Sequence, residues 1–190
     1  GLNDDLVKKA REVPGVEAVE GYSSVQGQLI RPDGTKIDIS FTAAETPNAL
    51  TLNFLKPAMG ETSIPSYGKK EVILDASASS LGYTAGDTIV IEFDNGKRRE
   101  LTFTGYMHAV TGFPYNLAQQ VNAYVTPDTL EWLGGNINQY GRLSISVSEK
   151  QTDADHVTAV AQAVADELKR AGSTVYFVSV YQPGHHFAYS

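Results

Sequence analysis

The stretch Leu143-Ser144-Ile145-Ser146-Val147-Ser148 alternates apolar and hydroxyl side chains without a fault, the period-two pattern of a strand with its apolar face on a core and its serines toward water. Directly behind it, Thr152 or Asp153 can cap a helix whose stripe is Val157, Val160, Ala161, Val164, Leu168 and Ala171, and Gly172 is placed to end it. Thr174 to Tyr181 then returns to an extended pattern. Strand, helix and strand joined by short loops predict a parallel crossover with a right-handed connection. Taken with the helix and strands at the front of the chain, that unit gives the fold class as α+β.

Working outward, Leu2, Leu6, Ala10 and Val13 recur at helical spacing, with Asn3 to Asp5 supplying cap and acid and Pro14-Gly15 ending the run. Residues 16 to 30 read as extended. Arg31-Pro32-Asp33-Gly34 is a turn into the alternating strand Lys36-Ile37-Asp38-Ile39-Ser40-Phe41. Helix and strands at the front, joined to the crossover at the back, predict one discontinuous layer of residues 1–42 plus 143–190, its helices covering one face of a shared sheet. The intervening 43–142 reads as a small inserted β-rich piece. Val72-Ile73-Leu74, Thr88 to Phe93, Leu101 to Tyr106 and Val121 to Val125 are its short strands, punctuated by glycine and proline. Thr126 and Pro127 can open a short helix anchored by Leu130, Trp132 and Leu133.

Composition narrows the function. With 190 residues, 42% apolar and 19% charged, the chain can bury a sizeable core. A net charge of -7 argues against nucleic acid as a partner. The single basic cluster, Lys97-Arg98-Arg99, follows the turn Asp94-Asn95-Gly96 and reads as a solvated hairpin end. Absence of cysteine excludes a disulfide scaffold, a thiolate metal site and a cysteine nucleophile, and leans toward export. No stretch approaches the roughly 20 apolar residues of a membrane span. A start at Gly1, running almost at once into a helix, suggests a processed or excised piece.

Chemistry-bearing motifs are missing. Gly96-Lys97 is followed by arginine, so no phosphate loop forms, and neither a zinc-binding His-Glu-x-x-His nor a Gly-x-Ser-x-Gly elbow occurs. His185 and His186 are adjacent in an extended segment and point apart, so no metal is expected there. His108 stands alone. Asp153, Asp155 and His156 read as a capped helix start, and the serines of Asp75 to Ser80 as a short polar helix start. No residue is expected to be catalytic, and no cofactor is expected. Two irregular stretches offer binding surface: Leu55 to Gly68, with Met59 and Tyr67, and Thr111 to Leu117, with Phe113 and Tyr115. The alternative for both is that they fold back and pack.

Glu71 to Ile91, with its Leu81-Gly82 and Gly86-Asp87 turns, resembles the stretch that identifies the MacB-like periplasmic core domain of FtsX-like ABC transporter permeases. Val13-Pro14-Gly15-Val16 is similar to that family's turn after its first helix, and Phe103-Thr104-Gly105 to the close of its hairpin. Ala123 to Pro127 and the terminal crossover extend the likeness over nearly the whole chain. Pro14, Gly15, Gly82, Gly86, Asp87 and Gly105 are then scaffold turns, which their residue types suit in any case. The resemblance implies a porter-like α+β subdomain with a β-rich insertion, held between two transmembrane helices on the extracytoplasmic side. It further implies a separate cytoplasmic ATPase subunit or domain, and an extracytoplasmic partner protein or transported substrate as the thing engaged. A freestanding secreted module for a glycan or peptide is the alternative; an enzyme assembled from scattered residues is the third reading.

Overall fold

The computed structural model describes residues 2–50, 52, 55–109, 119–150, 153–173, 178–182 and 185–189, the last two segments by backbone alone. The chain is α+β and divides into two compact units, Gly1–Ser23 with Thr51–Asn53 and Asn138–Ser190, and Ser24–Leu50 with Phe54–Ile137.

In the first unit, Asn3 caps α1 (Asp4–Arg11) by accepting from the Leu6 amide at 3.1 Å. Acids in its first turn and bases in its last suit the helix dipole. Gly15, at φ +91°, turns the chain into β1 (Val16–Tyr22). β1 pairs antiparallel with β9 (Arg142–Val147). From β9 the chain enters α3 (Ala154–Arg170), whose cap Asp153 accepts from the Asp155 and His156 amides. It then returns as β10 (Val178–Gln182), parallel to β9, and turns back as β11 (His185–Tyr189) in the order β1-β9-β10-β11. Val157, Val160, Ala161, Val164 and Leu168 of α3 pack with Val7, Ala10, Leu143, Ile145 and Val147. Each valine, leucine or isoleucine so buried contributes about 1.5–3 kcal/mol.

The serines of β9 do not face water. Ser144 and Ser146 are buried, because β9 is a central strand and its second face is occupied as well; the Ser144 hydroxyl bonds buried Tyr22. The Tyr22 hydroxyl also donates to Glu20, whose carboxylate accepts the Leu52 amide at 3.2 Å. Burial first, and then the Glu20 charge, push the Tyr22 phenol far up.

The second unit holds β2 (Ser24–Ile30), β3 (Lys36–Ala43), β4 (Leu55–Pro57), β5 (Glu71–Asp75), β6 (Thr88–Glu92), β7 (Arg98–Ala109) and β8 (Gln120–Val125) in one sheet. The hairpin β2–β3, expected beside the first helix within residues 1–42, lies here instead. β3 pairs in parallel with β8 and β2 pairs with β6, whereas β1 takes β9 as its partner. Because β6 pairs with both β2 and β7, and β7 also with β5, the sheet closes into a ring of six strands with β4 appended. Leu29, Ile39, Phe41, Leu74, Ile91 and Val121 are completely buried in its core, as a barrel this small requires. Thr126 caps α2 (Pro127–Trp132), and Leu130 and Leu133 pack onto that core.

Candidate functional site

Strand β7 is long enough to serve several neighbours in turn. Its start, Arg98 to Thr102, pairs with β6, and its end, Met107 to Ala109, pairs with β4. Thr104 to Tyr106 has no strand on that side. On the opposite side, Val72 faces Phe103 and Ile73 faces Gly105, so Thr104 is a bulge. The opening is a groove of about 1090 Å³. Its floor is Phe103 to Tyr106, one wall is Ala76, Ser79 and Tyr83 to Ala85, and the other is Pro57 to Met59, Glu61, Ser63 and Pro65.

The floor is rigid. Phe103 and Tyr106 meet edge to face with ring centroids 4.7 Å apart, and Tyr83 lies 6.1 Å from Phe103. The Tyr106 hydroxyl donates to the Tyr83 carbonyl at 3.0 Å, and partial burial pushes its pKa above the ordinary phenol value. Arg31 lies 5.0 Å from the Tyr83 ring while donating to the Leu81 carbonyl at 2.8 Å. Gly105, at φ +154°, admits Pro65 so closely that a Cβ there would lie 2.5 Å from the Pro65 Cγ.

The sequence-predicted residues separate on this frame. Met59 lines the groove and is fully exposed, at 102%. Tyr67 does not line it: its hydroxyl donates to the Ala44 carbonyl at 2.9 Å, and burial pushes its phenol up, so it anchors the loop. Phe113 and Tyr115 lie outside the described residues. Gly82 ends the 3-10 turn Ala76–Leu81 in the left-handed region, and Asp87 closes the next turn by accepting the Thr84 amide at 2.9 Å. Gly86, at φ +98°, donates to the Phe103 carbonyl. Pro14 precedes the left-handed Gly15 at the end of the first helix. Asp75 caps the 3-10 turn through Ser77 and accepts the buried Ala109 amide at 2.9 Å. Phe103 and Tyr106 lie three residues apart on β7, and Tyr83 comes from the turn after the 3-10 segment, so no local pattern signals that Tyr83 joins the other two.

Among the described residues no cluster of three or more His, Asp or Glu is arranged to hold a metal. The groove is mainly aromatic and aliphatic, with Glu61 and His108 at its sides. Such a lining suits an apolar side chain or an extended peptide. No helix among the described residues is long and apolar enough to cross a membrane.

No family model and no curated protein matches the chain. Among the solved structures that align with it are two domains of ABC-type transporters. One is the extracellular domain of the noncanonic ABC-type transporter YknZ from Gram-positive bacteria, 14% identical, covering 91% of this chain and 86% of that one with a TM-score of 0.48. The other is the periplasmic region of MacB from Actinobacillus actinomycetemcomitans, 13% identical, covering 87% of this chain and 74% of that one with a TM-score of 0.42.

Proposed function

We propose that this chain is a non-catalytic extracytoplasmic domain of an ABC transporter permease, looped between two transmembrane helices, which couples transporter movement to engagement of a substrate or partner protein. The observation that carries the reading is the discontinuity of the first unit. Its opening and closing segments build one sheet, and Leu2 bridges Tyr140 just ahead of β9 while Tyr189 pairs with Val178, itself opposite Leu143 at the start of β9. Entry and exit therefore share one end of that sheet, the arrangement that suits attachment to two neighbouring membrane spans. The turn motifs of residues 71–91 and 13–16 support the same family. ATP hydrolysis then belongs to a cytoplasmic subunit or domain, and the groove carrying Met59 is the surface offered outside.

Topology tests this directly. The chain lacks cysteine, so Met59→Cys introduces one into it. In intact cells expressing the full-length protein, a membrane-impermeant maleimide is expected to label it before lysis. The parent gene is expected to encode segments of roughly 20 apolar residues on both sides. Labelling only after lysis, or polar flanks, would overturn the proposal; a single upstream leader without a second apolar segment would favour a freestanding exported module.

A further inference from the structure

We propose that a second groove in the β-rich unit, beside Trp132, is a docking site for an acidic peptide segment, one that presents carboxylates next to an aromatic or aliphatic side chain. The groove encloses about 400 Å³, at the small end of the range of ~300–1000 Å³ typical of ligand clefts. Val25, Phe93 and Leu133 give it an apolar wall, and Lys97, Arg99 and Trp132 the rest of the recognition surface. Arg99 holds its guanidinium carbon 5.3 Å from the indole centroid, and Lys70, just outside the groove, holds its Nζ 4.7 Å from the same ring.

Lys70 is fixed there by its backbone. It has φ +57°, its amide donates to the Thr129 hydroxyl at 2.9 Å, and its carbonyl accepts the Thr102 amide at 3.0 Å. The face of an indole attracts cations, but two cations at one ring repel each other, and a carboxylate brought to Arg99 in the groove would relieve that repulsion. The planar fork of Arg99 suits a carboxylate in two-point contact. Across the same hairpin, Glu92 neutralises Lys36 and Arg98 at 2.8 and 2.9 Å. By contrast, no carboxylate among the described residues is within ion-pair reach of Lys70, Lys97 or Arg99; Asp94 also lines the groove, so its two cations, Lys97 and Arg99, outnumber its one acid. A chain of net charge -7 thus places two cations outside any ion pair at one aromatic ring, with a third, Lys97, lining the groove beside it.

Charge complementarity selects an acidic occupant, and the apolar wall selects one with apolar side chains over a bare anion. A lipid surface fits less well, because the one exposed large apolar side chain among the described residues, Met59, belongs to the other groove. The inference goes beyond the transporter reading, and its test needs only this chain in solution.

Trp132 is the only tryptophan, so its fluorescence reports the site. Titration with the blocked pentapeptide Glu-Phe-Glu-Leu-Glu is expected to give a saturable change that weakens several-fold between low salt and about 0.3 M salt, as ionic attraction is screened. Lys97→Gln with Arg99→Gln is expected to lower affinity about tenfold or more, by loss of charge-assisted contacts. Lys97→Gln alone, at an exposed position, gives a smaller loss without threatening the fold. No saturable change, an equal response to Lys-Phe-Lys-Leu-Lys, unaltered affinity in the variants, or a response to phosphatidylglycerol vesicles alone would each overturn it.

Discussion

Gly105→Ala tests whether the groove's geometry depends on the close seat of Pro65 on β7. The added methyl meets Pro65 Cγ at 2.5 Å and Cβ at 3.0 Å, and the backbone there holds φ +154°, which side-chain-bearing residues rarely adopt. The conformational part costs about 1–2 kcal/mol, and moving the loop to relieve the overlap adds about 1–3 kcal/mol. Together these give about 2–5 kcal/mol, and since 1 kcal/mol lowers Tm by about 2–4 °C at this size, a fall of about 4–20 °C is expected. Urea unfolding followed by Trp132 fluorescence reads the β-rich unit, where that residue packs on the core. Pro65→Ala removes the nearer atom, so in the double variant most of the steric share should return while the backbone share stays. The cycle should then show about 1 kcal/mol or more of favourable coupling. An unchanged midpoint in Gly105→Ala, or strictly additive effects in the cycle, would refute the packing argument.

Asp75→Ala should cost about 2–3 kcal/mol in urea unfolding, since it orphans the buried Ala109 amide; Asp75→Asn, which keeps an acceptor, should lose less. Tyr67→Phe should cost about 1 kcal/mol at neutral pH through loss of the bond to Ala44. The wild-type advantage should shrink as pH rises above 10.0, because burial raises the folded phenol's pKa above that ordinary value and ionisation then favours the unfolded chain. Glu92 has the opposite sign: hydrogen bonds from Lys36 and then Arg98 hold its carboxyl below 4.5, so its contribution is present above that pH and lost as pH falls through the lowered value. Glu92→Gln should therefore flatten the acid limb of a stability-against-pH curve; an identical limb would show that the pair has no role there.

What the sequence by itself determined was local. Period-two alternation in β9, the helical stripe of α3, the caps Asn3, Thr126 and Asp153, and the left-handed glycines all reside within a few residues of one another, so propensity and spacing carried them into the structure. The crossover that contributes to the α+β class was legible for the same reason. Tertiary structure alone decided which sheet received the hairpin β2–β3, because parallel pairing of β3 with β8 joins segments far apart in the chain. It decided that Ser144 and Ser146 are buried, since alternation says which side chains share a face but not what covers that face. It also made Met59 a groove residue and Tyr67 an anchor, though both lie in one loop. The approach of Tyr83 to Phe103, and of Lys70 and Arg99 to Trp132, depends on how distant segments are brought together by the sheet, a property no short window of residues encodes.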